Sequence, residues 1–159
     1  MSDTKPTLFI CSPHALVAGG IAGVLSTAGY EIRGRCESLA EMHSGLSREP
    51  VDGIILDACL VEDDVEPIRE FRRDGYKIIL LAGEEQSGDM LRNAMLAGAS
   101  GVLSQQESTD VFVKSVELVL SGSWVTSGNL AWRIIGVALQ MEARDTDSVT
   151  IPERELALL

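Results

Sequence analysis

Between Asp52 and Ala58 the chain reads Asp-Gly-Ile-Ile-Leu-Asp-Ala. A short run of β-branched and aliphatic residues with no polar alternation has no face to show to water. It is a strand buried on both sides, as in a parallel sheet covered by helices on each face. The run stops at a carboxylate. In open α/β sheets the carboxyl ends of the strands line the crevice where ligands bind, so Asp57 stands where a functional acid belongs. A strand-ending Asp is also a common helix cap. On this stretch alone both readings stay open, and partners at the other strand ends decide between them.

The same alternation runs along the chain. Thr7 to Cys11 is a buried strand ended by Ser12-Pro13, and Leu16, Val17, Ile21, Val24 and Leu25 then recur at helical spacing up to Gly29. Glu31 to Cys36 is a more polar strand, expected at the sheet edge. Leu39, Met42 and Leu46 mark a second helix, and a third runs from about Asp64 to Arg73. Tyr76 to Leu81 is the fourth strand. The polar loop Gly83 to Ser87 leads into a helix through Met90, Leu91, Ala94, Met95 and Leu96 that ends at Gly98. Gly101-Val102-Leu103 is a short fifth strand, and Ser108 caps a helix through Phe112, Val116 and Val119 that stops at Gly122. Five βα units without internal repeat predict an α/β fold with a doubly wound, five-stranded parallel sheet. An extra helix follows from Asn129 to Arg144, then a polar linker, Asp145 to Ser148, and a helix start at Thr150-Ile151-Pro152-Glu153.

At 159 residues the chain is one domain with a small appendage. Its formal charge of −11 repels phosphate backbones and anionic membranes. No apolar run reaches the roughly 18–20 residues that span a bilayer, and the N-terminus lacks the charge and core of a signal peptide, so a cytoplasmic location is expected. Cys11, Cys36 and Cys59 are odd in number and widely spaced with no CxxC pair, which argues against a disulfide framework and a zinc site. Cys11 and Cys36 read as small buried residues, and Cys59 lies in the loop after Asp57.

With Asp57 ending strand three, Ala97-Gly98-Ala99-Ser100-Gly101 before strand five, and Ser12-Pro13-His14-Ala15-Leu16-Val17 after strand one, the chain resembles a response-regulator receiver domain of the NarL/FixJ type. Ile151-Pro152-Glu153-Arg154-Glu155 resembles the opening of a LuxR-type helix-turn-helix. The resemblance implies a flavodoxin-like sheet of order 2-1-3-4-5 and three regions: a receiver-like domain at 1–122, an extra helix and linker at 123–148, and the start of a truncated helix-turn-helix domain at 149–159. It also implies a phosphoacceptor at Asp57 and DNA contact only through a C-terminal domain absent from this chain.

The chemistry of that family has requirements that this sequence does not meet. Its acidic pair, which holds magnesium, falls on Ser12 and Pro13; its switch hydroxyl falls on Ala82; its lysine falls on Gln105; and Cys59-Leu60-Val61 replaces the usual Met-Pro-Gly. Magnesium needs clustered oxygens, and donors aimed at developing charge are the largest contribution to phosphoryl transfer. Asp57 is therefore expected to be vestigial, with no cofactor, no metal and no enzymatic activity. The alternatives are a working receiver that takes phosphate on Asp57 from a histidine kinase, and a sensor for a small ligand such as a cyclic dinucleotide. Trp124-Val125-Thr126-Ser127 matches the family's cyclic dinucleotide motif only in part, with Ser127 in the place of its arginine. Helix five is apolar nearly all round through Val111, Leu118 and Leu120, so a second side must be covered. The extra helix covers it, or a homodimer does, with Met90 joining that interface; Trp124 and Trp132 read as packing anchors.

Overall fold

The computed structural model describes residues 5–136 and 139. Among them five βα units follow one another: β1 (Thr7–Cys11), α1 (Ala15–Thr27), β2 (Glu31–Cys36), α2 (Leu39–Arg48), β3 (Gly53–Asp57), α3 (Glu66–Arg73), β4 (Lys77–Ala82), α4 (Gly88–Ala97), β5 (Gly101–Ser104) and α5 (Thr109–Leu120). A two-residue strand, β6 (Val125–Thr126), and a helix over 128–136, here α6, complete the described chain. All neighbouring strands pair in parallel, in the order β2-β1-β3-β4-β5-β6. The expected order 2-1-3-4-5 holds, with one strand added at the β5 edge. The segment 149–159, expected to open a second domain, lies outside the described residues.

Alternate residues of each central strand feed two cores. Leu8, Ile10, Ile55, Ile79, Leu81 and Leu103 pack under α1 and α5 with Leu25, Phe112, Val116 and Val119. Phe9, Cys11, Ile54, Leu56, Ile78 and Leu80 pack under α2, α3 and α4 with Met42, Ile68, Phe71 and Leu91. This is why β1, β3, β4 and β5 lack polar alternation, while β2, with one side in water, keeps it. Phe9 fits because Gly34 and Gly45 face its ring without a Cβ, which at either position would collide with it.

The helix ends follow local chemistry. Ser38, Ser87 and Ser108 accept N–H groups of Glu41, Met90 and Val111 across the first turns of α2, α4 and α5. Gly98 closes α4 at φ 120°, a conformation that costs other residues energy. Helix α3 starts at Glu66 rather than Asp64, because Pro67 belongs in its first turn and the Asp64 carboxylate accepts the Glu66 N–H from outside.

Several surface expectations need correction. Leu130 and Ile134 of α6 join the core beneath α4, so α6 covers that side of the sheet and leaves α5 alone. Val111 and Leu118 remain exposed on α5. Met90, expected at an interface, faces inward from the first turn of α4 and is buried. Leu120 is half-buried and packs against the inner core beside Gly53. Trp132, expected as a packing anchor, is 76% exposed, whereas Trp124 donates its Nε1–H to the Ala99 carbonyl at 3.1 Å.

Candidate functional site

The carboxyl ends of β1, β3, β4 and β5 bring Ser12, Asp57, Ala82 and Gln105 to one end of the sheet, as the strand pattern requires. Asp57 is 2% exposed. Its Oδ2 accepts the Ser12 hydroxyl at 2.8 Å and its Oδ1 accepts the Cys59 N–H at 3.1 Å. Ser12 Oγ in turn accepts the His14 N–H at 3.1 Å, which fixes the hydroxyl so that its proton points at Asp57. The second oxygen bond makes Asp57 the cap of a short 3-10 helix, Ala58–Leu60. The capping reading of a strand-ending Asp is therefore realised here.

A receiver-type magnesium site needs several hard oxygens around one cation. Here Pro13 offers none, Ser12 is committed to Asp57, and the ionisable groups gathered at Asp57 are His14 and Cys59, with no second carboxylate among them. The residues do not fit magnesium. Ala82 is fully buried and has no hydroxyl, while its carbonyl accepts the Gln105 N–H at 3.0 Å. The Gln105 side chain is exposed and lies in the apolar groove between α1 and α5, beside Leu16, Ile21 and Phe112. Ser12, Asp57 and Ala82 are all buried at the ends of their strands.

Cysteine chemistry near the site is damped. Burial pushes the Cys59 thiol up to about 12, helped by its hydrogen bond with Asp57 and by that carboxylate's charge. Cys11 is held above its usual range by its hydrogen bond with Cys36 and by burial.

Two residues that sequence reasoning missed act on the β4–α4 loop. Gln86 is 2% exposed, and its Oε1 accepts the Gly83 N–H at 2.6 Å. Arg133 of α6 donates from Nη1 to the carbonyls of Gly83, Glu84 and Gln86, at 3.2, 3.4 and 2.9 Å. The loop immediately beyond Ala82 is thus tied to α6. The available signal was one cation inside the apolar turn Leu130-Ala-Trp-Arg-Ile-Ile135. Ser127, the place of the nucleotide motif's arginine, is buried and accepts the Ser104 N–H at 2.8 Å. Its work is to seal β6 onto β5.

No family model and no curated protein matches this chain. Solved structures do. A two-component response regulator of the LuxR family from Aurantimonas sp. SI85-9A1 superposes with a TM-score of 0.75 at 19% identity, covering 86% of this chain and 99% of its own. The isolated receiver domain of RcsB from Salmonella enterica serovar Typhimurium, determined with phosphomimetic BeF3-, gives 0.71 at 17% identity over 80% of this chain and 97% of that one. RcsB dimers bound to two parallel DNAs give 0.72 at 17% identity over 80% of this chain and 67% of that one. The fold is that of a response-regulator receiver.

Proposed function

We propose that this chain is the regulatory domain of a transcription regulator and acts without phosphorylation, as a dimerisation and interaction module. One observation carries the reading: the buried Asp57 carboxylate is held by two neutral donors, Ser12 Oγ and the Cys59 N–H, where phosphoryl chemistry needs a cation held by carboxylates. Regulation then depends on surfaces already formed. A strip of large apolar side chains on α6, Trp132, Ile135 and Leu139, is 76%, 47% and 60% exposed, and such a strip marks a partner surface. The RcsB neighbour forms dimers on DNA, and a homodimer along α6 fits the same regulatory role. DNA contact would belong to the helix-turn-helix suggested at 149–159. Arg133, on the same helix, gives the β4–α4 loop a direct handle on that route.

Incubation with a small phosphodonor and magnesium, read by intact mass, is expected to leave the chain unmodified. A stoichiometric acyl-phosphate adduct, lost in Asp57→Asn, would restore the conventional receiver. Sedimentation across a concentration range is expected to show a dimer that Trp132→Glu disperses; a strict monomer removes the interface.

A further inference from the structure

The side chains around Asp57 form a second donor set of mixed chemistry. His14, Asp57 and Cys59 each present a metal-ligating atom, and these atoms lie within 4.8 Å of one another. We infer that this trio is a binding site for a single divalent transition ion of the zinc class. The inference goes beyond the reading above and does not rest on it, and it replaces the expectation drawn from cysteine spacing.

The donor chemistry selects the ion. Imidazole nitrogen, thiolate sulfur and carboxylate oxygen together suit zinc or cobalt, whereas magnesium and calcium want oxygen alone. Three protein donors leave a fourth tetrahedral position for water. Charge also favours loading: a thiolate and a carboxylate neutralise a divalent ion, so binding with release of the Cys59 proton takes the half-buried cluster from one negative charge to neutral. The Cys59 S–H bond breaks as the S–metal bond forms, and its proton goes to water.

Geometry is close to what the ion requires. Tetrahedral zinc sets its donors about 3.3–3.8 Å apart. The buried Asp57 and the 3-10 turn that carries Cys59 are fixed, while His14 is exposed and free to rotate inward. Asp57 is oriented from outside the trio by the Ser12 hydroxyl, the kind of supporting hydrogen bond that ligating carboxylates characteristically have. Each Asp57 oxygen keeps a lone pair beyond the bonds it already accepts. Occupancy would lock the start of α1 to the end of β3.

The test uses the full chain, freed of metal and titrated with cobalt(II). Expected is a thiolate-to-cobalt charge-transfer absorption in the near ultraviolet that saturates at one equivalent and is displaced by zinc. Cys59→Ser should abolish it. His14→Ala, a change at an exposed position that leaves folding intact, should weaken cobalt affinity by at least about tenfold. Cys36→Ser should leave both unchanged. Absence of the band in the native chain overturns the assignment, as does a band undiminished by Cys59→Ser or an affinity undiminished by His14→Ala. A band lost only with Cys36 moves the metal to the Cys11–Cys36 pair and overturns it equally. None of these readouts depends on whether Asp57 accepts phosphate.

Discussion

Arg133→Ala tests whether α6 and the β4–α4 loop act as one unit. The native guanidinium gives one nitrogen to three carbonyls, at 2.9, 3.2 and 3.4 Å. A hydrogen bond from a charged donor nets about 1.5–3 kcal/mol. A single shared nitrogen on a half-exposed side chain counts as little more than one such bond, so the loss should be about 2 kcal/mol. Urea denaturation followed by tryptophan fluorescence should show the midpoint fall with an unchanged slope, and the melting temperature should drop by roughly 4–8 °C for a domain of this size. Backbone amide exchange should accelerate across residues 83–87 and stay constant in β1 and β3. Arg133→Lys should recover only part of the loss, since an ammonium lacks the planar fork. Unchanged exchange in the loop, with a stability change below about 0.5 kcal/mol, would refute the coupling.

Three other outcomes are expected. Ser12→Ala removes the buried donor to Asp57 and should cost about 1.5–3 kcal/mol in chemical denaturation; a neutral result would mean that water replaces the hydroxyl. Cys59 titrates far above the usual thiol value of about 8.5, so below that value its neutral form is common to folded and unfolded chains. Between there and about 12 only the unfolded thiol ionises, and stability contributed by Cys59 should be lost as pH rises through that window. Alkylation of Cys59 should stay slow until the upper end of the same window, and fast labelling at pH 9 contradicts the environment described. Gly45→Ala places a methyl group against the Phe9 ring. The helical gain of about 0.5–1 kcal/mol is smaller than the roughly 1–3 kcal/mol of overpacking, so equilibrium unfolding should show a loss near 1 kcal/mol where an exposed helix would show a gain.

Much of this was legible in the residues. Strands such as Gly53–Asp57 announce themselves because burial on both faces forbids polar alternation, and the polar β2 was placed at an edge for the converse reason. The gathering of Ser12, Asp57, Ala82 and Gln105 at one end of the sheet was visible because parallel strand ends converge in a predictable way. What escaped depends on tertiary placement. Two residues carry too little pattern to declare a strand, and Val125–Thr126 is one only because the β5 edge was open to it. Met90 looked available for an interface, yet the stripe it shares with Leu91, Ala94 and Ala97 faces the sheet. His14 and Cys59 meet only because β1 and β3 are neighbours, a juxtaposition that spacing rules for cysteine and histidine along one segment do not detect.

The paired Val125 has one further consequence. It occupies one rim of the sheet, while the opposite rim is guarded by Arg33, which sits 3.5 Å from both Glu31 and Glu49 and donates to the Pro50 carbonyl. Among the described residues, a strand approaching the sheet would meet β2 beside the charged Arg33 cluster or the two-residue β6, both poor templates for pairing.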